Sequence, residues 1–86
     1  MHAVSLVLRL SNEEEAVQSL HRDVMPQVQK APGFRTGTWF GDSKTGHAVL
    51  VFDTAEQAEQ AAPPVNTTMP GCIVESSDIY PVTGQV

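Results

Sequence analysis

Apolar and polar residues alternate along the first ten positions of the chain. Every second residue from Val4 to Leu10 is a valine or a leucine, and this is the period of a β-strand with one apolar face. The intervening positions, which include Ser5, Val7 and Arg9, form a mixed second face. The pattern predicts a first strand over this segment.

The next segment changes from strand spacing to helical spacing. Apolar residues recur three or four positions apart at Val17, Leu20 and Val24, so one stripe of a helix should face a core. Ser11 precedes this stripe and is the predicted N-cap of the helix. Pro26 should kink or end the regular part of the helix, because proline has no backbone N–H.

Strand and helix patterns alternate through the rest of the chain. The pattern predicts strands over 34–40, 47–52 and 72–80, a hairpin turn over 42–45, and a short alanine-rich helix that begins at Asp53 or Thr54 and ends at Pro63. The order βαββαβ is that of a ferredoxin-like fold. We therefore expect one α+β domain over residues 1–86, with a four-stranded antiparallel sheet and both helices on one face.

The second face of this sheet should also be apolar. With a hairpin turn over 42–45, Phe40 pairs with His47, and residues two positions apart share a face. The resulting row contains Phe34, Thr36, Thr38, Phe40, His47, Val49 and Val51. Because monomers seldom expose such a patch, we expect a homodimer in which two sheets pack face to face.

Composition supports dimerisation and disfavours several classes of function. A chain of 86 residues has a small core, and its single cysteine, Cys72, excludes an intrachain disulfide as a source of stability. Ten acidic against five basic residues give a net charge of -5, which is unfavourable for nucleic-acid binding. We expect no metal, no cofactor and no membrane span, and the unpaired thiol favours the cytoplasm.

Several short segments carry a resemblance to a known family. They are Ala31-Pro32-Gly33-Phe34, Gly37-Thr38-Trp39, His47 to Phe52, and Val74-Glu75-Ser76 with Ile79-Tyr80. In these segments the chain resembles the antibiotic-biosynthesis-monooxygenase-like superfamily of dimeric α/β barrels. The resemblance implies the same fold and a dimer, but the superfamily includes cofactor-free monooxygenases, haem-degrading enzymes, isomerases and proteins without an assigned activity.

The resemblance transfers no catalytic residue to this chain. Haem-degrading relatives use an Asn, a Trp and a helical His together. Here the first strand has Ser5 and Arg9 where an Asn would be needed, and the second predicted helix has no histidine. Trp39 alone does not make that site.

A few residues are candidates for chemistry on their own. His47 at the start of a strand would serve as a base or hydrogen-bond donor, and His21 flanks the apolar stripe of the first helix. For both, the alternative is an ordinary surface histidine. The candidate ligand-binding residues are Trp39, Phe40, Thr38, Thr36 and Arg9. Trp39 would otherwise pack in the core or the dimer interface, and Arg9 would otherwise pair with Asp78 or Glu75.

Two functions remain open from the sequence. The first is a cofactor-independent monooxygenase that acts on a small aromatic or polyketide-like molecule. The alternative is a non-catalytic module for small-ligand binding or dimerisation, which the absence of an acid–base pair favours. The volume of the cavity and the surroundings of His47 and His21 distinguish the two.

Overall fold

An antiparallel sheet with helices on one face forms the structure, a computed structural model that describes all 86 residues. The strands are β1 (His2–Leu10), β2 (Phe34–Gly41), β3 (Thr45–Phe52), β4 (Thr68–Met69) and β5 (Cys72–Pro81). The helices are α1 (Glu13–Ser19), α2 (Met25–Gln29) and α3 (Ala55–Ala61), with a π-helical turn over Leu20–Val24 between α1 and α2. We call the continuous segment 13–29 the first helix. No helix is long and apolar enough to cross a membrane.

The sheet has five strands in the order β2-β3-β1-β5-β4, so the expected number of four is wrong. The additional strand, β4, lies in a segment predicted as a loop and pairs Met69 with Cys72 of β5. Gly71 makes the tight turn between the two strands with a φ of 76°, a conformation that glycine adopts without steric cost. Two residues are too few to show an alternating pattern.

Side-chain caps begin both helical segments. Asn12, and not the predicted Ser11, caps the first helix by accepting a hydrogen bond from the backbone N–H of Glu15 at 3.0 Å. At α3 the N-cap is Thr54, one of the two predicted starts, and it forms a capping box: Thr54 accepts from the N–H of Gln57, and the side chain of Gln57 accepts from the N–H of Thr54. Each cap satisfies backbone donors that the first helical turn leaves free.

Pro26 interrupts the regular first helix without ending it. Proline has no N–H to donate to the carbonyl of Arg22, four residues earlier. In the turn before it, the N–H of Met25 bonds to the carbonyl of Leu20, five residues back, which is the π-helical pattern. The helix then continues to Gln29.

The core lies between the sheet and the helices. Its fully buried cluster consists of Val4, Leu6, Ala48, Leu50, Phe52 and Ala58. Val28 of the first helix and Ala61 of α3 pack against the same cluster, so both helical segments cover one face of the sheet. Only nine of the 86 residues are buried, which makes the core small.

The register of the hairpin is confirmed, with one exception at its far end. Phe40 lies opposite His47 as predicted, but the register shifts at Arg35. This bulge places Phe34 opposite Phe52, and the two rings meet edge to face with centroids 5.8 Å apart. The expectation that Phe34 belongs to the second face is therefore wrong, because one extra residue moves a side chain to the other side of the sheet.

The second face of the sheet has no helix over it. We call it the outer face, and by register it carries Ala3, Val7, Thr36, Thr38, Phe40, His47, Val49, Val51 and Tyr80. Of these, Val51 is buried, so its expected exposure is wrong. The exposed fractions of Phe40, Tyr80 and Val49 are 57%, 56% and 38%. The structure therefore exposes apolar surface on the face where the sequence predicts it.

Candidate functional site

A cleft of about 510 Å³ lies between the first helix and the sheet. Apolar side chains of three strands form its floor, namely Leu6, Leu8, Leu10, Trp39 and Leu50. The apolar stripe of the first helix forms its roof, namely Val17, Leu20, Val24 and Val28. Its volume falls in the range of sites that hold small organic molecules.

The cleft exists because the first helix is held at both ends and stands off the sheet between them. At its start, the N–H groups of Ser11 and Asn12 donate to the carbonyl of Gly71 at 2.8 and 3.1 Å. Near its end, Val28 packs against the buried cluster. Between these anchors Val17 keeps 46% of its surface exposed. The leucines below the helix are therefore left with open space above them.

Two glycines shape the floor of the cleft. Gly46 lies opposite Leu8, and a Cβ built on it would sit 3.5 Å from atoms of Leu8 and Leu10. A side chain would therefore fit there, and its absence enlarges the cleft. At Gly37 a Cβ would lie only 2.9 Å from the ring of Trp39, so the indole occupies the space above this glycine.

The hairpin end of the cleft carries an aromatic pair and a carboxylate. Phe40 and His47 border this end, and their rings stack on the outer face with centroids 5.1 Å apart and an angle of 13°. Asp42 accepts hydrogen bonds from the N–H groups of Lys44 and Thr45 at 2.9 and 2.8 Å. These bonds, helped by the nearby imidazole of His47, hold the pKa of Asp42 below its usual value. Asp42 therefore remains a carboxylate at neutral pH.

The thiol of Cys72 lines the cleft on β5, opposite Leu10 and on the other side of β1 from the hairpin. Partial burial raises the pKa of this thiol, since desolvation disfavours the thiolate. Cys72 therefore lacks the lowered pKa of a nucleophilic cysteine. No three side chains of His, Cys, Asp or Glu lie close enough together to hold a metal ion.

The structure brings together part of the predicted site. Trp39 forms part of the cleft floor, and Phe40 and His47 border the cleft at its hairpin end. His47 is half-buried, but its register position opposite Phe40 places its side chain on the outer face. His21 lies in the π-helical turn, is exposed and does not line the cleft.

The remaining predicted ligand-binding residues lie away from the cleft. Arg9 is exposed beside β5 and its guanidinium lies 3.8 Å from the carboxylate of Glu75, which is one of the pairings that the sequence left open. Thr36 and Thr38 are exposed on the outer face. The cleft therefore opens on the helix side of the sheet, opposite the row from which these residues were chosen.

Sequence reasoning assigned several cleft residues to an ordinary core. Leu8, Leu10 and Leu20 belong to clear strand and helix stripes, and nothing in their spacing shows that the two stripes are held apart. The available signals were Pro26 within the helical pattern and Gly46 immediately before the predicted strand over 47–52. Both mark places where close packing is interrupted.

Comparisons of the chain with protein-family models, with curated proteins and with solved structures find no match. The resemblance to the monooxygenase-like superfamily therefore depends on the short sequence segments alone. The structure of the cleft is therefore the basis for proposing a function.

Proposed function

We propose that the protein binds a small aromatic or polyketide-like molecule in the cleft between the first helix and the sheet. The observation that carries this proposal is the 510 Å³ volume of the cleft together with its mainly apolar lining. Trp39 offers a flat surface for a ring, and the neutral polar side chains of Ser19 and Gln27 offer hydrogen bonds to a hydroxyl or carbonyl. The monomer already contains this space.

The same proposal includes the family and the assembly. The order of the long strands, β2-β3-β1-β5, with helices on one face supports a ferredoxin-like fold of the monooxygenase-like superfamily. The exposed Phe40, Val49 and Tyr80 of the outer face support a homodimer. The unpaired Cys72 supports a reducing compartment such as the cytoplasm.

Oxidation of the bound molecule without a cofactor is the second candidate function. The observation that favours it is the half-buried imidazole of His47, which stacks on Phe40 at the hairpin edge where the outer face meets the cleft. There the imidazole would accept the proton of a ring hydroxyl, and the resulting phenolate would reduce dioxygen: one oxygen atom would form a carbonyl at a ring carbon that bears hydrogen, giving a quinone, and the other would leave as water. His47 has no carboxylate hydrogen bond to orient it, so binding without turnover remains the primary proposal.

Titration with hydroxylated aromatics, followed by tryptophan fluorescence, tests binding. Trp39 is the only tryptophan in the chain and lines the cleft, so a bound ring should change its emission in a saturable way. The variant Gly46→Val should weaken binding by roughly tenfold or more by filling the floor. Gly84→Val is the matched control, because a Cβ at Gly84 meets no atom within 4 Å. Equal affinities of both variants and the parent protein would contradict the proposed site.

Incubation with the same panel and with haem under oxygen tests turnover. Spectral change with the parent protein that is lost in His47→Ala, while Trp39→Phe keeps part of it, would establish oxidation with His47 as the base. Absence of turnover for every compound that binds would leave a ligand-binding module.

A further inference from the structure

The charged side chains around the cleft all have the same sign. Glu13 and Asp42 are exposed lining residues, one on the helix side and one on the hairpin side. Neither lysine nor arginine lines the cleft. Lys44 belongs to the same turn as Asp42, but only its backbone N–H bonds to that carboxylate. The exposed rim of the cleft, which we call its entrance, therefore presents two carboxylates and no cation to an approaching molecule.

The surroundings of this entrance strengthen its negative potential. Glu14 and Glu15 follow Glu13 in the first turn of α1, and together the three carboxylates outweigh the partial positive charge of a helix start. Asp42 keeps its charge because two backbone N–H groups hydrogen-bond to it. The chain as a whole carries a net charge of -5, so its long-range field has the same sign.

The interior of the cleft offers an anion no compensation. Its polar side chains besides the two carboxylates carry no cation; they include the buried hydroxyl of Ser19, the thiol of Cys72 and the amide of Gln27. A carboxylate that moved inside would lose its water without gaining a cationic partner, and such a transfer is costly.

We infer that the cleft selects against anionic ligands, so that its occupant is a ring compound without a negative charge. The inference depends on the proposed function and narrows its substrate class to alcohols, phenols, ketones and amines. Aromatic carboxylates, fatty acids and haem, which carries two carboxylates, are disfavoured on the same grounds.

Three ligands that share one ring system but differ in charge test whether the cleft disfavours a negative charge. They are 2-naphthylmethanol, 2-naphthoate and 2-naphthylmethylammonium, and their affinities are measured by Trp39 fluorescence and calorimetry in low-salt buffer. We expect the alcohol to bind at least about fivefold more tightly than the carboxylate, and the ammonium at least as tightly as the alcohol. Added salt should reduce the gap between the carboxylate and the ammonium.

Charge-neutralising variants show whether the entrance causes the selection. In Glu13→Gln/Asp42→Asn the gap should fall to about twofold or less, because asparagine keeps the turn-forming oxygen and removes the charge. Glu56→Gln/Glu59→Gln is the matched control, since it changes the net charge equally at two exposed positions of α3 outside the cleft, and it should keep most of the gap.

The binding results distinguish a failure of the proposed ligand binding from a failure of the proposed charge selection. If none of the three ligands binds, the proposed function fails and the inference with it. If all three bind with equal affinity, or the carboxylate binds most tightly, the proposed function stands and the inference is wrong. An ammonium as weak as the carboxylate would also overturn it, because desolvation of any charge would then explain the result.

Discussion

Gly37 determines where the only tryptophan of the protein lies. The ring of Trp39 fills the space above this glycine, between it and Leu50, and a Cβ at Gly37 would lie 2.9 Å from the ring. We expect Gly37→Ala to displace the indole, to shift its emission and to lower the free energy of unfolding by about 1–3 kcal/mol, as overpacking does. Fluorescence and urea denaturation measure both effects.

Gly84→Ala is the matched control for Gly37→Ala. No atom lies within 4 Å of a Cβ at Gly84, so this variant should keep the emission and the stability of the parent protein. Identical emission of the Gly37 and Gly84 variants would show that the indole does not need the space that Gly37 leaves free.

Cys72 provides a second prediction at the level of a single residue. Partial burial raises the pKa of its thiol above the usual value, so alkylation by iodoacetamide should rise with pH at a higher midpoint than in the urea-unfolded chain. The raised pKa also means that the thiol favours folding fully below its unfolded pKa, and that this contribution is lost as the pH rises through the folded pKa. As the chain has one cysteine, labelling reports on this site alone. A midpoint equal to that of the unfolded chain would contradict the burial of the thiol.

At the level of residues, the sequence predicted the cleft only in part. Trp39, Phe40 and His47 were identifiable because aromatic rings and imidazoles are few in this chain. Leu8 and Leu20 were not, since an apolar residue in a stripe looks the same whether it touches the opposite element or faces a gap. Periodicity reports which way a side chain points and carries no information on the distance to its neighbour.

The N-terminal cap of α3 tests whether a short sequence motif stabilises the fold. Its capping box joins Thr54 and Gln57 through two hydrogen bonds of 3.1 and 3.2 Å, and Ala58 of the same helix is fully buried. Thr54→Ala should therefore lower the free energy of unfolding by about 1 kcal/mol, while Thr54→Ser should cost much less. Urea denaturation of both variants measures the difference. Equal losses would mean that the hydroxyl does not act as a cap.

The first helix shows what the sequence could not predict about an element. Its stripe and length were evident, and Pro26 was expected to disturb it. Whether a proline ends a helix or is absorbed by a π-helical turn depends on the packing after it, and here Val28 is anchored on the core. The distance of this helix from the sheet is set by tertiary anchors at Gly71 and Val28, which no local pattern contains.

The whole molecule exposes an unusual amount of apolar surface for its size. Nine of 86 residues are buried, and the helices cover only one face of the sheet. Four long strands about 4.8 Å apart and roughly 26 Å long give the outer face a plan area of roughly 500 Å². Projecting side chains raise its accessible area towards the about 800 Å² that each partner contributes to a standard interface. The face is therefore large enough for a second copy of the chain.

Substitution of Val49, on the central strand β3 of the outer face, tests whether two copies meet there. If two outer faces pack together, Val49→Lys should place like charges near the two-fold axis and dissociate the dimer, since an unpaired buried charge is costly. Val65→Lys makes the same chemical change at an exposed loop position away from this face and should leave the dimer intact. Sedimentation velocity at micromolar concentrations distinguishes the species. A parent protein that sediments as a monomer throughout this range would mean that the outer face is not a self-association surface.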